Sequence, residues 1–281
     1  MSKKTLIIQG GGFRTGFSAG VLDAFIAMEY NPFDAYVVVS GGAIAVSYYL
    51  GKQYGKCYDA MCMLAEDKDF MNYYRMFGEN GVMDVDYFKK VAETLIPFNI
   101  ETAIEELKGK ELSVVMTNKA TGNAEYFNPD RITWIDSIIA SCTLPFVTKG
   151  CHHFNGKEYM DGGWSDPLPV EWAVKNGGTD ITIIRTTPKD LKVTQSWTDY
   201  FASYAMRGNA QLQACYENNH KKYNESIDYI KANETKAFIN QIAPDSPLMA
   251  GTYSNSVEVI KKDYHYGVQK GLDYIHQLRS E

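Results

Sequence analysis

The sequence predicts a three-layer α/β/α fold, a mainly parallel sheet covered by helices on both faces. Three observations predict it. Short apolar runs alternate along the chain with longer segments of helical period, the pattern of parallel strands joined by crossover helices. The first runs are apolar throughout, as strands buried on both sides are. No internal repeat, low-complexity tract or Ser/Pro-rich linker interrupts the alternation. The 281 residues therefore read as one domain, 1–281, with a helical C-terminal part over about 195–281 packed on it.

Taken in order, residues 5–9 form a short apolar run ending in glycines, a buried strand. Residues 16–30 carry Phe17, Val21, Leu22, Phe25 and Ile26 at a helical period. Residues 36–39 are strand-like and 43–50 helical. Residues 84–96 form an amphipathic helix with Asp84 as N-cap and Pro97 beyond its end. Residues 112–117 are a strand, and 124–127 pair with it around a Thr-Gly-Asn turn. Residues 132–141 are helical, as are 167–176 before a Gly-Gly stop. A strand over 181–185, helix over most of 197–232, a strand over 236–242 and a helix over 256–278 close the chain.

Apolar residues make up 45% and charged residues 22% of the chain, ordinary for a globular protein. A net charge of −6 excludes a generic nucleic-acid binder and a protein held on anionic membrane by its overall charge. The 20 tyrosines fit buried packing. The five cysteines, Cys57, Cys62, Cys142, Cys151 and Cys215, are odd in number and lack CxxC spacing, so neither a disulfide framework nor a zinc ribbon is expected. The N-terminal apolar run is too short for a signal peptide. Residues 35–51 come nearest to a membrane span, yet fall short of the ~20 residues one needs, and Ser40-Gly41-Gly42 interrupts them. A soluble, cytoplasmic protein is the expectation.

The chemistry concentrates in two early strand-to-helix turns. In the first, Gln9 runs into Gly10-Gly11-Gly12-Phe13-Arg14-Thr15-Gly16. Consecutive glycines free the backbone and leave amides pointing outward at a helix N-terminus, a site for an anion or a developing oxyanion. A dinucleotide-binding turn also has this look, but wants an acidic residue at the end of the second strand. That strand ends Val37-Val38-Val39-Ser40. No Gly-Lys-Ser/Thr follows the glycines, which excludes a P-loop.

The second turn, Val39-Ser40-Gly41-Gly42-Ala43, places a serine between a buried strand and a helix among small neighbours, as a nucleophile elbow requires. A plain N-cap serine has the same local sequence. A serine nucleophile needs a base. His152, His153, His220, His265 and His276 lie in no turn motif and read as structural or surface residues. Tyr159-Met160-Asp161-Gly162-Gly163 delivers a carboxylate from an apolar strand end into a glycine turn. An Asp-Gly turn with no chemical duty reads the same way in isolation.

Together these segments resemble the patatin-like phospholipase family. Its Gly-Gly-Gly-x-Arg-Gly motif is matched by Gly10–Arg14, its Gly-x-Ser-x-Gly motif by Ser40-Gly41-Gly42, and its Asp-Gly-Gly or Asp-Gly-Ala motif by Asp161-Gly162-Gly163. Residues 140–146 resemble the family's Ala-Ser-x-x-x-Pro segment. Residues 20–25 and 223–230 extend the likeness over nearly the whole chain, the latter resembling a bacterial subgroup.

The resemblance implies a patatin-like fold and a Ser–Asp dyad without histidine, acting as phospholipase A or carboxylesterase. Ser40 attacks an ester carbonyl, and Asp161 accepts its proton and later activates water. Gly10, Gly11, Gly12 and Arg14 form the oxyanion hole, with Gly41 and Gly42 completing the elbow. No metal or cofactor is required. The partners implied are lipid or other acyl esters and transient contact with a membrane surface, not nucleic acid.

Two residues depart from the family pattern: Thr15 stands where it has glycine, and Val38 stands where it has glycine two residues before the serine. Val37 and Val39 already supply one face of that strand, so Val38 is expected beside the nucleophile, where it narrows the acyl pocket or strains the turn. An acyl- or lipid-binding protein of weak or lost activity on the same fold is the alternative reading, and a nucleotide-binding oxidoreductase is a third.

Overall fold

A computed structural model describes residues 2–75, 81–145, 147–195, 200, 203–204, 207–233, 238–254 and 256–280. Its sheet pairs in the order β5-β6-β3-β2-β1-β7-β8, with β4 also on β3. The strands are β1 Lys3–Ile8, β2 Ala35–Val39, β3 Glu111–Asn118, β4 Ala124–Phe127, β5 His152–Phe154, β6 Lys157–Asp161, β7 Gly178–Ile184 and β8 Phe238–Ile242. Pairs among β3, β2, β1, β7 and β8 are parallel, and those of β4, β5 and β6 are antiparallel. The sheet is thus mainly parallel, as the alternation of runs predicts.

Alternation along the strands divides the core in two. Leu6, Ile8, Tyr36, Val38, Val114 and Ile184 face one side, where they pack with α1 (Thr15–Ala27), α2 (Gly41–Leu50), α3 (Lys56–Glu66) and α6 (Trp134–Cys142). Ile7, Val37, Val39, Val115 and Ile183 face the other, against α7 (Val170–Lys175) and α8 (Ala210–Asn233). The last helix, α9 (Val257–Ser280), lies along α1 so closely that a Cβ at Gly20 would stand 2.1 Å from the Tyr264 carbonyl oxygen. Sheet faces covered on both sides account for strands that read as unbroken apolar runs. No helix among the described residues is long and apolar enough to cross a membrane.

The departures from the sequence expectations are local. The helix expected over 84–96 is a short α-helix, α4 (Val85–Lys90), capped by Asp84 through the amides of Asp86 and Tyr87, followed by a π-turn over Val91–Leu95. Residues 167–169 lie outside α7 and 28–30 outside α1. α3 and α5 (Ile100–Glu106) fall in segments to which no element is assigned above, although Cys57, Ala60, Met61 and Leu64 form a buried helical stripe. The expected helix over 197–232 is described only in part, because residues 197–199, 201–202 and 205–206 lie outside the described residues, as do 236–237 of the last expected strand and Phe146 of the 140–146 segment.

Val38 corrects a sharper expectation. It is completely buried among Ile8, Val114 and the helices of the larger core, and it does not line the cleft beside Ser40. In a sheet buried on both faces, the side opposite Val37 and Val39 is also core, so alternation turns Val38 into the helices on the other face. Val38→Gly is accordingly expected to lose roughly 1.5–3 kcal/mol of burial and about 0.5–1 kcal/mol to glycine's backbone entropy. Preference for acyl length should not move. A melting curve and hydrolysis of a short and a long ester check both parts; a gain on long chains would return the valine to the cleft.

Candidate active site

β1 and β2 are parallel neighbours, so the loops after them emerge side by side at the carboxyl end of the sheet, where such folds gather their sites. Ser40 lies between β2 and α2 with φ 52° and ψ −126°, a backbone that residues other than glycine rarely adopt. Held strain of this kind at a strand-to-helix turn lifts the side chain clear of the sheet. The neighbours leave room for little else. A Cβ at Gly10 would lie 2.8 Å from the Ser40 Cβ, and one at Gly42 would lie 2.5 Å from the Ile8 carbonyl oxygen.

The pairing of β3 brings Asp161 to the same place. Val114 and Val115 pair with both β2 and β4, and Met116 and Thr117 with both β4 and β6. A strand has two edges, so β2 and β6 must share the edge opposite β4, meeting end to end. Val39 is opposite Val115 and Asp161 is opposite Met116, so the next residue of β2, Ser40, meets the last residue of β6. The Ser40 hydroxyl lies close enough to the Asp161 carboxylate to favour its charged form.

Residues 140–145 tie the two together. The Ser141 hydroxyl donates to the Val115 carbonyl at 2.7 Å and accepts from the Ser40 amide at 2.8 Å. The Thr143 carbonyl accepts from the Asp161 amide at 2.8 Å.

Asp161 is 5% exposed. Burial pushes its carboxyl up to about 7, against the opposing hydrogen bonds from Ser40 and from the Gly163 amide, the latter 2.7 Å long. Loss of water disfavours the charged form, so this carboxyl exchanges its proton near neutrality. Cys142 also lines the cleft within reach of Ser40, and burial pushes its thiol well up, so it stays protonated beside the carboxylate.

The glycine loop faces this pair. Gly12 has φ 57° and opens a 3-10 turn through Arg14. The amides of Gly11 and Gly12 find no hydrogen-bond partner among the described residues. Arg14 folds back over its own loop, donating to the Gly11 carbonyl at 3.4 Å and the Thr252 hydroxyl at 3.3 Å. Gly10, Gly11, Gly12, Arg14, Ser40, Gly41 and Asp161 all line one cleft of about 310 Å³, while Gly42 lies beneath it against β1. Beyond Ser40 the walls are apolar, with Ile44, Met61, Leu64, Phe70, Met83 and Phe88.

No histidine is among the residues lining this cleft. His152 faces Asp136 at 3.5 Å and His153 faces Glu158 at 3.4 Å, both on the β5–β6 hairpin. Cys151, His153 and Glu158 are close enough to ligate a metal together. The Lys119 ammonium already lies against the Cys151 sulfur at 3.4 Å and Glu158 at 3.1 Å.

Several neighbours of the cleft escape sequence reasoning. Arg185 is fully buried and donates to Gln9, Gln241, Thr187 and Tyr223, while Thr186 donates to the Gly10 carbonyl at 2.6 Å. This network backs the glycine loop from β7. A charge closing an apolar strand, Ile181 to Arg185, is the one signal of it. Asn219, Tyr223 and Thr252 reach the cleft from far along the chain, and no local pattern marks them.

The chain matches the family described as "Patatin-like phospholipase" over residues 6–174 and one described as "Domain of unknown function (DUF6363)" over residues 209–281. It is 27% identical over 266 residues to "Uncharacterized protein YjjU" of Escherichia coli (strain K12), covering 93% of this chain and 74% of that one. Among solved structures it is similar to VipD from Legionella pneumophila, with TM-score 0.47 and 13% identity over 99% of this chain and 67% of the other.

Proposed function

We propose that this chain, which belongs to the patatin-like phospholipase family, is a serine lipid acyl hydrolase that works through a Ser40–Asp161 dyad. The observation that carries the reading is a single juxtaposition. Ser40, held in left-handed backbone at the end of β2, meets a buried carboxylate that titrates near neutrality, beside amides without partners among the described residues.

The chemistry follows from these positions. Asp161 takes the proton of the Ser40 hydroxyl as its oxygen attacks the ester carbonyl. The amides of Gly11 and Gly12 stabilise the oxyanion, a kind of contact worth about 10²–10³-fold per donor in other hydrolases, and Arg14 holds their loop in shape. Asp161 then protonates the departing alcohol, and in the second half it activates a water that releases the acid. The apolar wall from Ile44 to Phe88 suits an acyl chain, so lipid esters met at a membrane surface are the substrate class. Val38 points into the core, which removes the steric reason for a displaced nucleophile and with it the main support for a purely acyl-binding protein.

A pH profile tests the base. Asp161 acts only when ionised, so kcat/KM is expected to rise with pH through about 7 and level off above it. The measurement is hydrolysis of a soluble acyl ester between about pH 5.5 and 8.5, with a fluorophosphonate probe to confirm that Ser40 is the labelled residue. A flat profile, or a label on another serine, rejects the dyad.

A further inference from the structure

The turn after Asp161 has carbonyls that its own strand does not satisfy. Residues Gly162–Trp164 form a 3-10 turn packed so tightly that a Cβ at Gly162 would lie 2.2 Å from the Val115 carbonyl oxygen. Carbonyls withdrawn from water need donors, and here they come from α8. Asn219 Nδ2 donates to the Gly163 carbonyl at 2.5 Å and the Trp164 carbonyl at 3.1 Å. Cys215 Sγ donates to the Trp164 carbonyl at 3.3 Å and Lys222 Nζ to the Ser165 carbonyl at 3.2 Å. These residues recur at helical spacing, so one face of α8 runs along the turn. α8 lies in the segment matched only by a domain of unknown function, outside the part that matches the hydrolase family.

We infer that α8 serves the reaction, with Asn219 as a positioning residue whose amide clamps the Gly163 turn and thereby aims the Asp161 carboxylate at Ser40. The inference rests on the dyad proposed above. The link is short: the peptide whose carbonyl Asn219 holds belongs to Gly163, and the Gly163 amide holds the Asp161 carboxylate at 2.7 Å. Asn219 is half-buried and lines the cleft, yet it touches no reacting atom. The titratable groups that face Asp161 are Cys142 from α6 and Tyr216 from α8, both pushed up by burial and so uncharged. Neither competes with the Gly163 amide for control of the carboxylate's charge.

Two variants test it. Asn219→Ala removes both hydrogen bonds, and Asn219→Asp keeps the shape while removing the donors. Each should lower kcat about 10-fold or more on a soluble ester, the scale of a lost positioning contact, with KM within about twofold. The Gly163 hydrogen bond opposes the upward shift of Asp161, so loosening it should raise the Asp161 pKa further, moving the acid limb to higher pH. Carbon-detected NMR of labelled Asp161 reads the same shift without any turnover. That readout separates the clamp from the dyad: a Ser40→Ala protein that still hydrolyses esters fails the dyad, whatever Asn219 does. The clamp is overturned if both variants leave kcat and the Asp161 pKa unchanged. It is also overturned if they lower the melting temperature and kcat together with the pKa unmoved, since α8 would then only stabilise the fold.

Discussion

Ser40→Ala is expected to abolish ester hydrolysis and fluorophosphonate labelling, a fall on the order of 10⁴–10⁶-fold in kcat by comparison with nucleophile deletions in other serine hydrolases. The size follows from what remains. Without the hydroxyl, Asp161 and the glycine amides can orient a water only by chance, and no acyl-enzyme forms. Stability should barely change, because alanine at φ 52° carries the same steric cost as serine, about 1–2 kcal/mol. Ser40→Gly makes a second control. It removes both the nucleophile and the strain, so it should be as inactive as Ser40→Ala and melt at a higher temperature. Labelling that persists in Ser40→Ala would show that another serine is the nucleophile. A Ser40→Gly protein no more stable than Ser40→Ala would show that the elbow stores no strain.

Much of this was legible in the residues, and for a physical reason. A strained strand-to-helix turn and an amide-rich loop are built by local backbone, so Gly10–Gly12 and Ser40–Gly42 stand out within a few positions. The fold class was legible because both faces of the sheet are covered, which turns β1 and β2 into unbroken apolar runs. What lay hidden is long-range. That β2 and β6 share an edge of β3, which brings Asp161 to Ser40, is a matter of pairing that no window of sequence contains. Val38 shows the same limit in reverse. Its departure from the family pattern was plain, but its direction depended on which face of β2 the helices α1 and α2 would cover. The buried Arg185 network and Asn219 reach the site from strands and helices more than 140 residues from Ser40 in sequence, with nothing nearby to mark them.

Asp161→Asn is expected to be the second most damaging change in activity, and the one that separates catalysis from stability. The amide keeps the shape and can still accept from the Gly163 amide, but it cannot take the serine's proton. The loss should be about 10²–10⁴-fold, the usual worth of a general base. His152→Ala and His153→Ala should leave activity intact, because both residues face acidic partners on the hairpin away from the cleft lining. The effect on stability has the opposite sign. Burial holds the Asp161 carboxyl at about 7, far above its value in an unfolded chain, so the folded state binds this proton more tightly than the unfolded state does. Its contribution is therefore fully present in acid and is lost as pH rises from about 4 through 7. Above that range the ionised carboxylate costs the fold up to about 4 kcal/mol relative to the protonated form. Asparagine never ionises. The melting temperature of Asp161→Asn should exceed that of the parent near pH 8, and the gap should shrink toward pH 5. Thermal melts at the two pH values decide it: a gap that does not depend on pH would mean that Asp161 is not the buried, raised carboxylate that this mechanism requires.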